Sequence, residues 1–370
     1  MSPNFVTKCW LLAGCLCLLT WSAIHAEQAF RQGYGLAGEI DRLVPDLMEK
    51  WQIPGISIAL IESGEIAWTG SYGIKQTGNP APVSEDTVFE AASMSKPFFA
   101  YLVMQLVEAG LLELDRPLVE YYEADYMDDP RHRKMTARMV LSHKGGFPNW
   151  RPGGRRGGQP LPLLFEPGSD YTYSGEGYWY LQRVVEKLTG STLETLSQQK
   201  LKIPLSMLNS SFVWQDSFAT QAAGGHSADD AKPILPRRIY ENGNAAFTLY
   251  TTGSDYARFI VEMMKHDRSR GGLLSPEGRD LMLQPETQVK NRDPIARSDQ
   301  EGQGEVYFGL GWRIDKVAGA LHFCHSGSNR TGFRCYSEFN PETQRGIVVL
   351  TNSAGGHRLW QTLIREIGPL

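Results

Sequence analysis

Apolar residues recur every three to four positions in "LAGEIDRLVPDLMEKWQ" (36–52), a spacing that predicts an amphipathic helix. The next stretch, "GISIALIESGEIAWTGSYG" (55–73), changes to alternation, with β-branched residues on both sides of Ser63-Gly64. Two strands joined by a hairpin turn are expected there. A helical pattern returns near Ser93, runs to about Ala109 and stops at Gly110. Residues 111–240 mix helical segments with many turns and a Gly/Pro/Arg-rich stretch, "NWRPGGRRGGQPLP". Within them "GEGYWYLQRVVEKLTG" (175–190) reads as a helix with a glycine stop. "TTGSDYARFIVEMMKHD" is a further helix. "VYFGLGWRID", "ALHFCHSG", "GFRCYSEFN" and "RGIVVLTNS" are four strand candidates in series, and "HRLWQTLIREIG" closes the chain as a helix. This order predicts an α+β fold, an antiparallel sheet flanked by helices. The α/β layer is expected to combine 27–90 with 240–370, interrupted by a mostly helical region at 91–239. There is no internal repeat and no low-complexity linker.

Composition narrows the partners. The chain has 370 residues, 41% hydrophobic and 21% charged, which is ordinary globular usage. Its net charge of −4 and its lack of a long basic run argue against nucleic acid as a partner. No obligate protein partner is evident either. The N-terminus differs: Lys8 precedes the apolar run "CWLLAGCLCLLTW", which ends in "SAIHA". This reads as a signal peptide at 1–26, cut after Ala26, and an exported protein, periplasmic or secreted. A second reading is a lipoprotein box, "LAGC", cut after Gly14 with Cys15 as the anchor. A third is an uncleaved anchor, although the run is shorter than the roughly 20 residues that span a bilayer. Of the five cysteines, 9, 15 and 17 leave with the signal. Cys324 and Cys335 remain as a candidate disulfide, and the chain is no disulfide scaffold.

The chemical candidates are individually weak. Ser93 and Lys96 in "EAASMSKPFF" are either polar punctuation at a helix start or a nucleophile and its base. Ser197 and Lys200 repeat the spacing inside a helical segment, so spacing alone decides nothing. Ser93 differs in setting, because it follows two alanines where helix N–H groups and the positive end of the dipole lie close. Lys96 is one turn on, on the same face. If buried, it could lose its proton and accept one from Ser93. Tyr173-Ser174-Gly175 is a loop before a helix, and His325-Ser326-Gly327 ends a strand. His322, Cys324 and His325 invite a metal reading, but alternation puts 322 and 324 on one strand face and 325 on the other. No metal or cofactor is called for. Phosphate-loop, dinucleotide and G-x-S-x-G signatures are missing.

In order, S-x-x-K, Y-S-G and H-S-G resemble the serine β-lactamase and penicillin-binding superfamily, class C branch. That branch holds class C β-lactamases, D-Ala-D-Ala carboxypeptidases, D-aminopeptidases and β-lactamase-fold esterases. "DTVFEAASMSKPF" is similar to its nucleophile segment, "MTARMVLSHKGGFP" to its "LLTHTSGLP" segment, and "FGLGW" and "VVLTNSAGG" to its closing strands. The resemblance implies a β-lactamase/transpeptidase-like fold and a cofactor-free serine hydrolase. Ser93 would be acylated, Lys96 would take its proton, and Tyr173 would return a proton to the leaving group. His325, Ser326 and Gly327 would align the substrate, and the N–H groups of Ser93 and Ser328 would form the oxyanion hole. Arg330 could add a positive charge, or be a solvated loop residue, and His143 is read as structural. Gly175 stands where the motif has Asn, and His325 where it has Lys. Both departures favour a D-peptidase or esterase over a β-lactamase. The expected substrate is a small molecule or short peptide, cell-wall-derived ones included. The rival expectation is a slow-turnover penicillin-binding or sensor protein.

Overall fold

The computed structural model describes residues 35–153, 160–265, 272–289, 304–317 and 319–370. The signal-peptide and Cys15 expectations lie outside these residues. Among the described residues no helix is long and apolar enough to cross a membrane. Residues 35–51 form the first helix, α1. The alternating stretch forms β1 (Gly55–Glu62) and β2 (Glu65–Gln76), with Ser63 and Gly64 both at positive φ in the turn. β3 (Asn79–Pro82) pairs back on β2, and β4 (Phe89–Glu90) leads to helix α2 (Ser95–Glu108).

The middle of the chain supplies α3 (Ala137–Leu141), α4 (Gly175–Thr189), α5 (Leu193–Ser197) and α6 (Phe218–Gln221). β5 (Tyr250–Thr251) pairs with β4, and α7 (Gly253–Met263) and α8 (Pro276–Leu283) follow. The remaining strands are β6 (Thr287–Gln288), β7 (Glu305–Phe308), β8 (Arg313–Val317), β9 (Ala320–Ser328), β10 (Arg334–Asn340) and β11 (Arg345–Thr351). Helix α9 (Gly356–Ile367) comes last.

Nine strands make one sheet in the order β3-β2-β1-β11-β10-β9-β8-β7-β6. β1 and β11 pair antiparallel, with Ile56 opposite Thr351, so the two ends of the strand series close against each other. Alternation along β10 sends Tyr336 and Glu338 to one face and Cys335, Ser337 and Phe339 to the other. Trp360 of α9 stacks on Tyr336 at 4.4 Å. On the opposite face Phe339 meets Trp312, which stacks on Phe259 of α7. Phe259 in turn packs on Phe98 of α2, 5.1 Å between ring centres. α9 therefore covers one face, and α7 with α2 covers the other. From Ser95 to Met104 every residue of α2 is buried. A helix apolar all round belongs in a core, and burial of each large side chain contributes roughly 1.5–3 kcal/mol. That makes α2 a rigid base for whatever its first turn carries.

Two expectations change. "VYFGLGWRID" is a hairpin, β7 and β8, and not one strand. Gly311, at φ 92°, turns the chain and donates its N–H to Leu141 O. The Cys324 and Cys335 thiols are free. Cys335 stands opposite Gly327 and Glu338 opposite Cys324, so the cysteines are three positions out of register. That offset is about 10 Å along the strand and puts them on opposite sheet faces, whereas a disulfide needs Cα atoms within about 7 Å.

Candidate active site

Ser93 sits half-buried on a one-turn 3-10 helix, Ala92–Met94, between β4 and α2. The chain enters it through Ala92 at φ 51°, a left-handed conformation that strains a residue with a Cβ. Ser95 secures the turn. Its hydroxyl donates to Ala92 O at 2.6 Å and accepts from Leu249 N at 3.0 Å. Lys96 follows, fully buried, and Nζ donates to Ser93 Oγ at 3.2 Å and to Ala246 O at 2.9 Å. Nζ also lies 4.6 Å from the centre of the Tyr173 ring. Burial lowers the Lys96 ammonium to about 7, so near neutral pH a large share is the free amine.

Tyr173 is held from the next residue. Ser174 caps α4 by accepting from Gly177 N at 2.9 Å, and its hydroxyl donates to Pro148 O. Ser174 N donates to His143 Nδ1 at 3.1 Å. The neutral His143 therefore carries its proton on Nε2. Its ring lies 4.3 Å from that of Tyr173, and burial lowers its pKa well below the ordinary value. His143 thus positions Tyr173 by a tilted ring contact and by holding Ser174, a pairing the sequence did not reveal.

His325 reaches the same cluster from β9, 6.1 Å from Tyr173 between ring centres. Its Nδ1–H donates to Ser326 O at 2.8 Å. Burial first, and then the nearby Lys96, push its pKa down to about 3. With its pKa that low the ring is neutral near pH 7, so His325 offers a substrate carboxylate no positive charge. Ser326 is half-buried, and alternation sends its side chain to the face opposite His325. Only its carbonyl serves the cluster.

Gly327 explains the close approach. A Cβ there would lie 2.1 Å from Ala91 O and 3.3 Å from Ala92 Cβ, so the strand end lies flush on the turn before Ser93. Ser328, the last residue of β9, is exposed next to it. Arg330 is exposed in the turn between β9 and β10. Gly175 opens α4, and its missing Cβ would lie 2.5 Å from the Trp150 ring.

Sequence reasoning missed Glu90. Its Oε2 accepts from Thr331 Oγ1 at 2.6 Å, Asn329 Nδ2 at 2.9 Å and the Tyr240 hydroxyl at 3.3 Å. It ties the turn after β9 to the strand before Ser93. An acid three residues before the nucleophile was visible, but nothing in one sequence marks it as buried. Ser197, by contrast, is buried in α5, and its hydroxyl donates to Glu194 O. Among the described residues no His, Cys, Asp or Glu group is arranged to hold a metal. His322 pairs with Glu338 at 3.1 Å on the far sheet face.

A hydroxyl beside a buried amine, a phenol over that amine and a tightly seated strand edge can perform acyl transfer. The comparisons agree on the class. Residues 40–368 match the family model described as Beta-lactamase. The chain belongs to the beta-lactamase family. Members of this family are serine hydrolases. Among sequence relatives, the unguisins hydrolase ungD of Aspergillus violaceofuscus is 25% identical over 361 residues, covering 86% of this chain and 61% of the relative. The chain thus spans about three-fifths of that protein's length. Penicillin-binding protein 4 of Amycolatopsis lactamdurans is 24% identical over 341 residues, covering 87% of this chain and 86% of the relative. A class C beta-lactamase structure superposes with a TM-score of 0.75 at 20% identity, covering 90% of this chain and 95% of that one. That likeness bears on the fold, and it agrees with the expected α+β β-lactamase/transpeptidase-like architecture.

Proposed function

We propose that this beta-lactamase-family chain is an exported hydrolase that works through an acyl-enzyme on Ser93. The observation that carries the reading is the Lys96 amine, buried, lowered to about 7 and 3.2 Å from the Ser93 hydroxyl. Neutral Lys96 takes the Ser93 proton as Oγ bonds to the substrate carbonyl carbon. The N–H groups of Ser93 and Ser328 receive the oxyanion. The C–N or C–O bond then breaks, and the leaving group takes a proton passed from Lys96 through Tyr173. Water attacks the acyl-serine in the second half, and Ser93 recovers its proton by the reverse route.

The substrate is a D-amino-acid peptide, an ester or a β-lactam, with the first two favoured. Gly175 and a neutral His325 leave out the amide and the cation that the motif would offer a β-lactam. Export rests on the N-terminal sequence pattern. The test is a panel of an ester, a D-Ala-D-Ala peptide and a chromogenic cephalosporin against wild type, Ser93→Ala and Lys96→Ala. Full retention of every activity in both variants refutes the mechanism.

The likeness to the penicillin-binding protein of Amycolatopsis favours one other reading, a protein acylated by β-lactams without appreciable turnover. Intact-mass measurement after β-lactam addition separates the two. A persistent adduct on Ser93 supports the binder, and a rapid return to the free mass supports the hydrolase.

A further inference from the structure

A cavity of about 190 Å³ opens in the middle region of the chain and shares no residue with the Ser93 cluster. Sites for drug-sized ligands measure roughly 300–1,000 Å³, so this one suits a molecule of a single ring. One wall is α5 with the π-turn that follows it, Gln198–Lys202. Ile203 N–H donates to Gln198 O at 3.0 Å, five residues back, the bond of a π-turn. Such turns are rare and recur at functional sites. The other wall comes from residues 207–218. It is fixed from behind, because Ser211 N donates to Tyr250 O of β5 and the Phe212 ring meets Phe98 of α2 at 5.9 Å.

The first wall carries a buried ion pair. Lys202 is 4% exposed and donates to Glu194 Oε1, while Glu194 Oε2 accepts from Phe212 N at 2.8 Å. Among the described residues Lys202 Nζ has no other partner, which leaves two of its three N–H groups unused. Burying an ammonium is costly, and one carboxylate offsets this only when other acceptors complete the set. On the opposite wall Gln215 donates to Ser211 Oγ at 3.0 Å and to Val213 O. Its amide oxygen has no partner among the described residues. Beside these polar groups stand Ile203 and Leu208, 59% and 79% exposed, with Phe218 buried next to them in the same lining.

The paired charges select against ions. A carboxylate ligand would meet Glu194, and an ammonium ligand would meet Lys202. A neutral ligand with several hydroxyls escapes both. Each hydroxyl donates and accepts, which matches open N–H groups set beside open oxygens. The apolar rim matches the C–H face of a sugar ring. We infer that this cavity is a binding site for a neutral hexopyranose, separate from the groove at Ser93. The inference does not depend on the reading of Ser93 as nucleophile.

Saturation-transfer NMR on the full chain tests it. Methyl β-D-glucopyranoside and N-acetyl-D-glucosamine are the probes, with acetate and methylammonium as charged controls. At least one of the sugars is expected to bind with a Kd of about 1 mM, and both ions more weakly. Lys202→Met should weaken that sugar by about tenfold. Leu208→Ala and Gln215→Ala replace exposed side chains and should each weaken it by about threefold. These two variants carry the test should Lys202→Met fail to fold. No saturation transfer to either sugar overturns the inference. So does an ion that binds as tightly as the sugar, or a sugar Kd that the folded variants leave unchanged.

Discussion

Lys96 Nζ lies 3.2 Å from Ser93 Oγ, and among the described residues Lys96 forms no ion pair. Burial alone lowers the ammonium to about 7. If the free amine is the base, kcat/KM should rise with pH through an ionisation near 7 and then level off. The two imidazoles in the cluster cannot supply that limb, since His325 is pushed down to about 3 and His143 well below its ordinary value. A pH–rate profile on the best substrate of the panel checks this. An acidic limb at pH 5 or below would exclude Lys96 as the titrating base. Lys96→Ala should lower kcat by about 10²–10⁴-fold.

The same burial has a consequence for stability. The folded pKa of Lys96 is below its unfolded value, so the unfolded chain binds more protons between about 7 and 10.5. The burial penalty is full below about pH 7 and shrinks as pH rises towards 10.5. Lys96→Met keeps the stem and removes the charge. We expect it to be more stable than wild type by on the order of 2–4 kcal/mol at pH 6. The gain should shrink by pH 9.5. Denaturant unfolding at both pH values measures it. A variant no more stable than wild type at pH 6 would contradict the buried, unpaired amine.

The elements that carried the fold were legible because their patterns were long. The helix at 175–189 and its Gly190 stop follow from a 3.6-residue spacing, and the β1–β2 hairpin follows from alternation around Ser63-Gly64. The β7–β8 hairpin was missed because Gly309 and Gly311 sit inside an unbroken apolar run. The turn closes on Gly309 N–H to Trp312 O, with Gly311 at positive φ held by a long-range bond to Leu141 O. Ser93, Lys96, Tyr173 and His325 were legible by family order, and the structure brings all four together. His143 and Glu90 act through contacts between segments up to 241 residues apart in sequence, as the Thr331–Glu90 bond shows. No local pattern encodes such pairings. His325 was named, but its protonation state depends on burial, which only the packed site reveals.

Gly327 should tolerate no side chain. Gly327→Ala places a Cβ 2.1 Å from the backbone oxygen of Ala91, which cannot swing aside as a flexible side chain would. The end of β9 must lift, taking Ser328 N away from the Ser93 turn. Loss of one oxyanion donor costs about 10²–10³-fold in kcat, and a loss of that size is expected with folding retained. Near-wild-type kcat in a folded Gly327→Ala protein would remove the strand edge from the mechanism.

Both thiols on the sheet should react once the chain is opened. Unreduced protein, denatured and alkylated, should yield modified peptides for both Cys324 and Cys335. Their register places them on opposite faces of β9 and β10. Recovery of a single disulfide-linked peptide containing both would refute the register.

Glu90 offers the sharpest separation of charge from hydrogen bonding. Its Oε2 gathers donors from Thr331, Asn329 and Tyr240, and burial raises its pKa above the ordinary value. Glu90→Ala leaves three donors without their acceptor. It should lose about 2–4 kcal/mol of stability and, by releasing the turn beside Ser328, lower kcat more than it raises KM. Glu90→Gln keeps an oxygen for the donors and should restore most of both. The charge also has a sign. A raised folded pKa means the stability from Glu90 is full below about pH 4.5 and falls as pH rises through the folded value. Wild type should therefore compare best with Glu90→Gln at pH 4 and less well at pH 7. Denaturant unfolding at the two pH values reads this directly. A wild-type advantage that grows with pH would mean Glu90 is held by its charge, against the burial and the neutral donors that surround it.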